Sequence, residues 1–250
     1  MEISDEIRAA IEKLFGEVTA WEAHELTLSS DFKAAFPMMA EFLKSCLALS
    51  IDFAPYDDPD PNYSLPARNR VVLFHQSKNG IEKFYVHPTP ETLPDQASDS
   101  LSLFLRELGS LRPAPTLLRG LNGSQTVSDL DEDLVEALEY EVEDWEEDEP
   151  DLKGTLSPFP LYESLLIGTD DTGILVVEYE NRVYTAAMVG EGEVWRRLGA
   201  SFGQHDSNII YKSDEIQTFD QLVERIAEIA LGRFTPDQKE IFETDQDITV

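Results

Sequence analysis

The amino-acid sequence predicts an α+β protein with two lobes, in each of which an antiparallel hairpin packs against helices. Two pairs of β-rich runs, at 71–86 and 174–189, are each divided by a turn, and apolar stripes at helical spacing flank both pairs. Proline and glycine accumulate between the pairs, which is typical of a connection. We therefore expect an N-terminal lobe at 1–112, a linker at 113–127 and a C-terminal lobe at 128–250.

Three helices and one hairpin are predicted in the N-terminal lobe. Apolar residues recur at helical spacing in three segments, 7–15, 37–47 and 101–108. Pro37 suits the first position of the second helix, where its missing N–H costs nothing. Gly109 follows the third helix, where a left-handed residue is favoured. Asn79-Gly80 between two β-rich runs is the strongest short-range signal for a hairpin.

The C-terminal lobe repeats this logic, and the similar order of elements is compatible with a degenerate duplication or with a common supersecondary unit. Helices are predicted in four segments, 131–149, 194–202, 219–230 and from Pro236 through Phe242. Glu180-Asn181-Arg182 forms the turn of the second hairpin. Thr218 and Gln221 have the spacing of a capping box at the start of the long helix, and Gly232 follows its end.

The charge of the chain is far from balanced. Fifty Asp and Glu face nineteen Lys and Arg, which gives a formal net charge of -31. Thirteen acidic residues and no basic one lie within 131–151. A field of this sign repels nucleic acid and anionic membranes, so the expected partner is a basic protein. The alternative is that the acidity serves solubility alone.

The cysteine content and the hydropathy predict a cytoplasmic protein. Cys46 is the single cysteine, so no intramolecular disulfide can form, and a reducing compartment is expected. The acidic N-terminus lacks an apolar signal core. No apolar run approaches the roughly 18 residues that a membrane span needs. No oligomeric state follows from the sequence.

A hydrolase would need a nucleophile, and Ser201 is the one candidate with a motif. Gly199-Ala200-Ser201-Phe202-Gly203 matches the nucleophile elbow, in which a strand, a sharp turn and a helix follow in that order. Helical periodicity precedes Ser201, however, and Gly203 is interpreted as a helix C-cap. His205 is the only histidine downstream and lies too close in sequence for that fold. A structural serine is therefore expected.

Sites for a metal or another cofactor are not expected either. Asp58-Pro59-Asp60-Pro61-Asn62 starts like a calcium loop but lacks the glycine and the glutamate that the loop needs later. Asp170-Asp171 is interpreted as a turn rather than as an acid–base pair. His75 and His87 can face each other across the first hairpin, but two imidazoles without a third ligand make a poor zinc site. No glycine-rich phosphate loop occurs.

Three motifs in the C-terminal lobe resemble the closing half of the SUKH superfamily. They are 165–175, with a Gly and Asp turn after a strand, the Val-Tyr pair in 182–184, and 218–223, where a helix opens with Phe. The resemblance covers roughly residues 160–231. The early Asn-Gly-Gly segment of the family is missing here. Many members are immunity proteins that accompany bacterial toxins, so the resemblance implies a binding protein, and the family has no shared catalytic residues to carry over.

We therefore expect a non-catalytic, acidic binding protein, an immunity or inhibitor protein that neutralises a cationic toxin such as a nuclease. The alternatives are a regulatory or scaffold protein and, in another class, a hydrolase or metal enzyme. Electrostatic steering would increase the association rate, and aromatic residues would increase the binding affinity. The predicted partner-binding residues are acidic apart from one tryptophan: Asp58, Asp60, Glu139, Glu143, Asp144, Trp145, Glu147, Asp148, Asp170 and Asp171.

Overall fold

The fold is α+β, as predicted, with two antiparallel five-stranded sheets and five helices in the part of the chain that the structure describes. The computed structural model describes residues 5, 9, 20–52, 70–77, 80–87, 89–112, 121, 126–127, 161–169, 174–186, 193–204 and 210–235. Asp5 and Ala9 are helical, while the rest of the predicted first helix lies outside these ranges. So do the predicted helices at 131–149 and after Pro236.

The first sheet has its strands in chain order, β1-β2-β3-β4-β5. They are β1 (Ala20–Ala23), β2 (Leu47–Asp52), β3 (Arg70–Ser77), β4 (Gly80–His87) and β5 (Ser110–Arg112). The predicted hairpin is confirmed as β3–β4, with Ser77 paired to Gly80. Gly80 has φ +124, a backbone conformation that side chains rarely allow, which explains the glycine at this turn.

The second sheet has the order β6-β7-β8-β10-β9, so its last two strands are exchanged relative to the chain. Its strands are β6 (Leu165–Thr169), β7 (Leu175–Tyr179), β8 (Arg182–Ala186), β9 (Phe202–Gln204) and β10 (Ile210–Ser213). The second predicted hairpin is confirmed as β7–β8. Glu180 and Asn181 both have positive φ, at 48 and 63, the signature of a two-residue type I′ turn.

Four of the five helices lie where the sequence predicts a helix, but the first was not predicted, and the helix predicted over 37–47 ends at Ser45 because Leu47 begins β2. The five helices are α1 (Ser30–Ala35), α2 (Pro37–Ser45), α3 (Asp99–Leu108), α4 (Glu193–Arg197) and α5 (Phe219–Ala230). Gly109 follows α3 with φ 64, as its predicted C-terminal position requires. The Oε1 atom of Gln221 accepts from the Thr218 N–H at 3.2 Å, the return bond of the predicted capping box before α5.

The prediction of a helix over 194–202 is wrong at its C-terminal end. Helix α4 stops at Arg197, and Gly199 takes the left-handed conformation with φ 65. Gly203, interpreted from the sequence as the cap, instead lies in strand β9 and pairs with Lys212 of β10. The apolar spacing continued past the helix because Phe202 also contributes to the core from its strand.

Strands β3, β6, β7 and β8 are largely buried on both faces, and each contains a nearly continuous apolar run. In β3, Leu73 belongs to a large central cluster, while its neighbours Val72 and Phe74 belong to a separate cluster on the other face. In β8, Val183 and Tyr184 divide between two clusters in the same way. A strand that is covered on both sides lacks the alternation of apolar and polar residues that is typical of a half-exposed strand.

The two halves of the sequence share the central cluster. Three fully buried phenylalanines from different helices meet there: Phe36, just before α2, Phe104 of α3 and Phe219 of α5. The ring centroids of Phe104 and Phe219 are 5.3 Å apart, and those of Phe36 and Phe219 are 6.3 Å apart, both edge-on. Because Phe219 belongs to the second half, the halves are joined by a core and not only by their linker.

Two carboxylates of the second half also cap helices of the first half. Glu178 of β7, which is 2% exposed, accepts from the N–H of Ser98 at 2.8 Å and from its hydroxyl at 3.1 Å, directly before α3. Glu224 of α5 accepts from the N–H groups of Met38 and Met39 in the first turn of α2. These N–H groups lack partners within their own helix, and negative charge is favoured there.

Candidate functional site

The predicted partner-binding residues do not fall within the described part of the chain. All ten lie outside it: Asp58, Asp60, Glu139, Glu143, Asp144, Trp145, Glu147, Asp148, Asp170 and Asp171. Their predicted role therefore stays a prediction. The structure does describe the strands that flank two of the three acidic groups.

The flanking strands show where two acidic segments enter and leave the sheets. Asp170 and Asp171 lie in sequence between β6 and β7, whose ends pair through Thr169 and Leu175. Asp58 and Asp60 lie between β2 and β3, whose ends pair through Ile51 and Arg70. Each acidic segment thus connects two neighbouring antiparallel strands.

Ser201 lies in a context that differs from a nucleophile elbow. The helix α4 precedes it and strand β9 follows, the reverse of the order that the motif needs. Its hydroxyl donates to Oε1 of the exposed Glu215 at 3.0 Å, and its N–H donates to the same atom at 3.2 Å. These bonds hold the pKa of Glu215 below its ordinary value. A carboxylate with a lowered pKa is a weaker base than an ordinary glutamate for activating a hydroxyl.

A second serine contacts a histidine where α2 ends and β2 begins. Ser45 Oγ lies 3.3 Å from Nδ1 of the buried His75, but the Ser45 hydroxyl donates to the Phe42 carbonyl at 2.6 Å. The tautomer that fits is therefore His75 donating through Nδ1–H, which leaves the imidazole unable to accept the proton of Ser45 at that atom. This arrangement satisfies polar groups at the end of a helix and does not activate a nucleophile.

Cys46, next to Ser45, is held in the thiol form. Burial, and to a smaller degree the charge of Glu82, raises its pKa to about 12, against a weaker opposing effect of Ser45. Its Sγ donates to the Phe42 carbonyl at 3.3 Å. A thiol of this kind is a packing group, because nucleophilic chemistry and metal binding both need the thiolate.

The histidines do not converge on a ligand site within the described residues. The prediction that His75 and His87 can face each other is wrong: His75 pairs with Glu82, and His87 pairs with Ser110 on the far side of β4. His24 contacts Ser50 at 3.2 Å through Nδ1. In the ranges given above, no three His, Cys, Asp or Glu side chains are arranged to hold a metal ion.

Most arginines of helices α4 and α5 and of the turn after α5 are neutralised by neighbouring carboxylates. Arg196 and Arg197 contact Glu193 at 2.8 and 3.0 Å. Arg225 contacts Glu228 at 3.3 Å, and Arg233 pairs with Glu41. Intramolecular pairing of the scarce positive charges leaves the excess of carboxylates to set the external field.

One polar pocket, at the end of the second sheet, is not predicted by any pattern in the sequence. It has a volume of about 60 Å³ and is lined by Arg182, Tyr184, Lys212, Ser213, Asp214 and Gln217. Two cations at one small concavity are unusual in a chain with a net charge of -31. Strand alternation places Arg182 and Tyr184 on one face, but only the pairing of β8 with β10 brings Lys212 beside them.

Tyr184 forms the buried wall of this pocket and is 6% exposed. Burial is the main cause that raises its pKa, while the Arg182 guanidinium acts in the opposite direction. The phenol therefore stays neutral, a hydrogen-bonding group beside the side chains of Arg182 and Lys212.

Comparison of the chain with models of known protein families, with curated proteins and with solved structures gives no match. Among the described residues, no helix is long and apolar enough to cross a lipid bilayer.

Proposed function

We propose that the chain is an acidic binding protein whose partner is a basic protein, and that it acts as an inhibitor of that partner. The observation that carries the proposal is the net charge of -31 together with thirteen acidic residues, unrelieved by any basic one, within 131–151. Like charges so close together repel each other in the free protein. A cationic surface would relieve that repulsion on binding.

The described geometry favours a binding protein over a catalyst. Ser201 and Ser45 donate their hydroxyl protons to a weakly basic carboxylate and to a backbone carbonyl, and Cys46 keeps its proton. Each of these three side chains is thus occupied in a structural hydrogen bond. The inhibitor part of the proposal rests on the resemblance of residues 160–231 to immunity proteins of the SUKH superfamily.

Charge-neutralising variants test the site. In the first, Glu143→Gln, Asp144→Asn, Glu147→Gln and Asp148→Asn remove four charges from the acidic segment. The matched control removes four exposed charges elsewhere: Glu22→Gln, Glu25→Gln, Glu91→Gln and Asp95→Asn. Both variants and the wild-type chain are used to purify partners from the native host, with quantitative mass spectrometry.

The expected result is a basic protein that the wild type and the control retain and that the segment variant loses. Coexpression of the chain should then suppress the activity of that protein. A partner that is not basic, or one that all three chains retain equally, would contradict the proposal. Equal retention would instead favour a regulatory or scaffold protein whose acidity serves solubility.

A further inference from the structure

The pocket at the end of the second sheet has an unusual balance of charge. Arg182 and Lys212 line it together with a single carboxylate, that of Asp214. Among the described residues, no carboxylate lies within ion-pair distance of either cation, in contrast to the pairs that Arg196, Arg225 and Arg233 form. The lining side chains therefore sum to one positive charge within a negative molecule, and the Glu180 carboxylate is close enough to act on the Tyr184 phenol.

The wall of the pocket from 213 to 217 is held in place by its own hydrogen bonds. Ser213 Oγ accepts from the N–H groups of Glu215 and Ile216, both at 3.1 Å. The Gln217 side-chain amide donates to the Asp214 backbone carbonyl at 2.8 Å, and the Gln217 backbone carbonyl accepts from the Val183 N–H at 2.9 Å. A wall fixed in this way needs little ordering when a ligand binds.

The size of the pocket limits the class of ligand. At about 60 Å³ it is far smaller than the roughly 300–1,000 Å³ of sites for drug-sized molecules. It exceeds the roughly 10–15 Å³ that one water molecule occupies by the same kind of measure. The space suits a group of about three to five heavy atoms, such as a carboxylate or a phosphate.

The net charge of the chain does not prevent an anion from binding here. At physiological ionic strength, charges more than about 8 Å apart are largely screened from each other. Arg182 and Lys212 line the pocket itself, so they act on a bound group at much shorter range. Arg and Lys are the side chains that recognise oxyanions, Arg through its planar fork and Lys as a point charge.

We propose that this pocket binds a small oxyanion, a carboxylate or a phosphate group, between Arg182 and Lys212. The phenol of Tyr184, which is hydrogen-bonded to Arg182, forms the buried wall behind that guanidinium. The residues of this site differ from those of the acidic segment that we assign to the protein partner, so either assignment can fail while the other stands.

Titration of the full-length chain, labelled with ¹⁵N, tests this site by NMR. Sodium phosphate and sodium acetate are added in separate experiments, with sodium chloride at matched ionic strength as the reference. We expect saturable shifts of the amides of 182–184 and 212–217 with a Kd on the order of 1 mM, because so small a ligand makes few contacts. Saturation by phosphate alone identifies a phosphate site, and saturation by acetate alone identifies a carboxylate site.

Two variants with equal loss of charge make the test specific. Arg182→Gln combined with Lys212→Gln should raise the Kd at least about tenfold, since charge-assisted hydrogen bonds are lost. Lys33→Gln combined with Lys44→Gln, both exposed and on helices of the first half, should leave it unchanged. The single variant Lys212→Gln replaces the double variant if the latter fails to fold. Shifts that do not saturate, or a Kd that the pocket variant leaves unchanged, would overturn the proposal.

Discussion

Glu178 of strand β7 accepts two hydrogen bonds from Ser98, one from its backbone N–H at 2.8 Å and one from its hydroxyl at 3.1 Å. Ser98 is also the N-cap of α3, where its Oγ accepts from the Leu101 N–H. A buried carboxylate in the second half thus fixes the start of a helix in the first half. Contacts of this kind couple local helix structure to the packing of the two sheets.

Replacing Glu178 by Ala should lower the free energy of unfolding by about 3 kcal/mol, because the Ser98 groups lose their acceptor inside a buried site. Glu178→Gln keeps one carbonyl oxygen and should lose about 1 kcal/mol. Urea unfolding followed by circular dichroism measures both. A loss below about 0.5 kcal/mol for the Ala variant would mean that the pair contributes little.

The contribution of Glu178 to the free energy of unfolding should decrease as the pH rises. Burial raises its pKa above the ordinary value, and the nearby Asp220 carboxylate acts in the same direction, against the Ser98 hydrogen bonds. The native state then holds this proton more tightly than the unfolded state does, so the stabilising contribution is complete below the unfolded pKa and is lost as the pH rises through the folded one.

Urea unfolding of the wild type and of Glu178→Gln at a series of pH values isolates this effect, because other carboxylates are common to both chains. The wild type should gain stability relative to the variant as the pH falls from 7 towards about 4.5. A difference that stays constant over this range, or changes in the opposite direction, would contradict the assignment.

Phe36 is the N-cap residue of α2, and its side chain cannot form a capping hydrogen bond. We therefore expect Glu224 to act as the cap of this helix. Glu224→Ala should lower the free energy of unfolding by about 1–2 kcal/mol, as for the loss of other caps. The control is Glu228→Ala, one turn further along α5, which removes a partly exposed ion pair with Arg225 and should change less than about 0.5 kcal/mol. Equal losses in both variants would argue against a capping role.

The shared core predicts that the described halves unfold together. Phe219 packs on Phe36 and Phe104, so Phe219→Ala should destabilise the chain by about 3–5 kcal/mol. Hydrogen exchange of α2 and α3 should accelerate along with that of α5. If only the second half exchanged faster, the contacts between the halves would not couple their unfolding.

Cys46 should be unreactive in the native protein. A pKa of about 12 leaves roughly one thiolate in ten thousand at pH 8, whereas an unperturbed cysteine ionises near 8.5. Labelling with an aromatic disulfide reagent should therefore be slow in buffer and rapid in concentrated urea. Rapid labelling under native conditions would contradict the partly buried, hydrogen-bonded position of the thiol.

Local signals in the sequence were sufficient for much of the fold. Asn79-Gly80 located the first hairpin, the Glu180-Asn181 turn located the second, and Gly109 marked the end of α3. The apolar stripe of α5 and its capping box also identified a helix correctly. In each case the decisive chemistry lies within a few residues of the element that it defines.

Elements that depend on distant pairing were missed. Strands β1 and β5 have only four and three residues, and β5 ends directly before the predicted linker at 113–127. Strand β2 starts at Leu47, although the apolar spacing had predicted that helix α2 continues to this residue. The polar pocket at the end of the second sheet was missed for the same reason, since Arg182 and Lys212 are brought together by the pairing of β8 with β10.

The dependence of the association rate on salt tests the proposed function most directly. Stopped-flow measurement of the chain with its purified partner should show the rate falling at least about tenfold between 20 and 500 mM sodium chloride, because steering by opposite charges is screened. A rate that is unchanged over this range would show that the net charge of -31 takes no part in recognition.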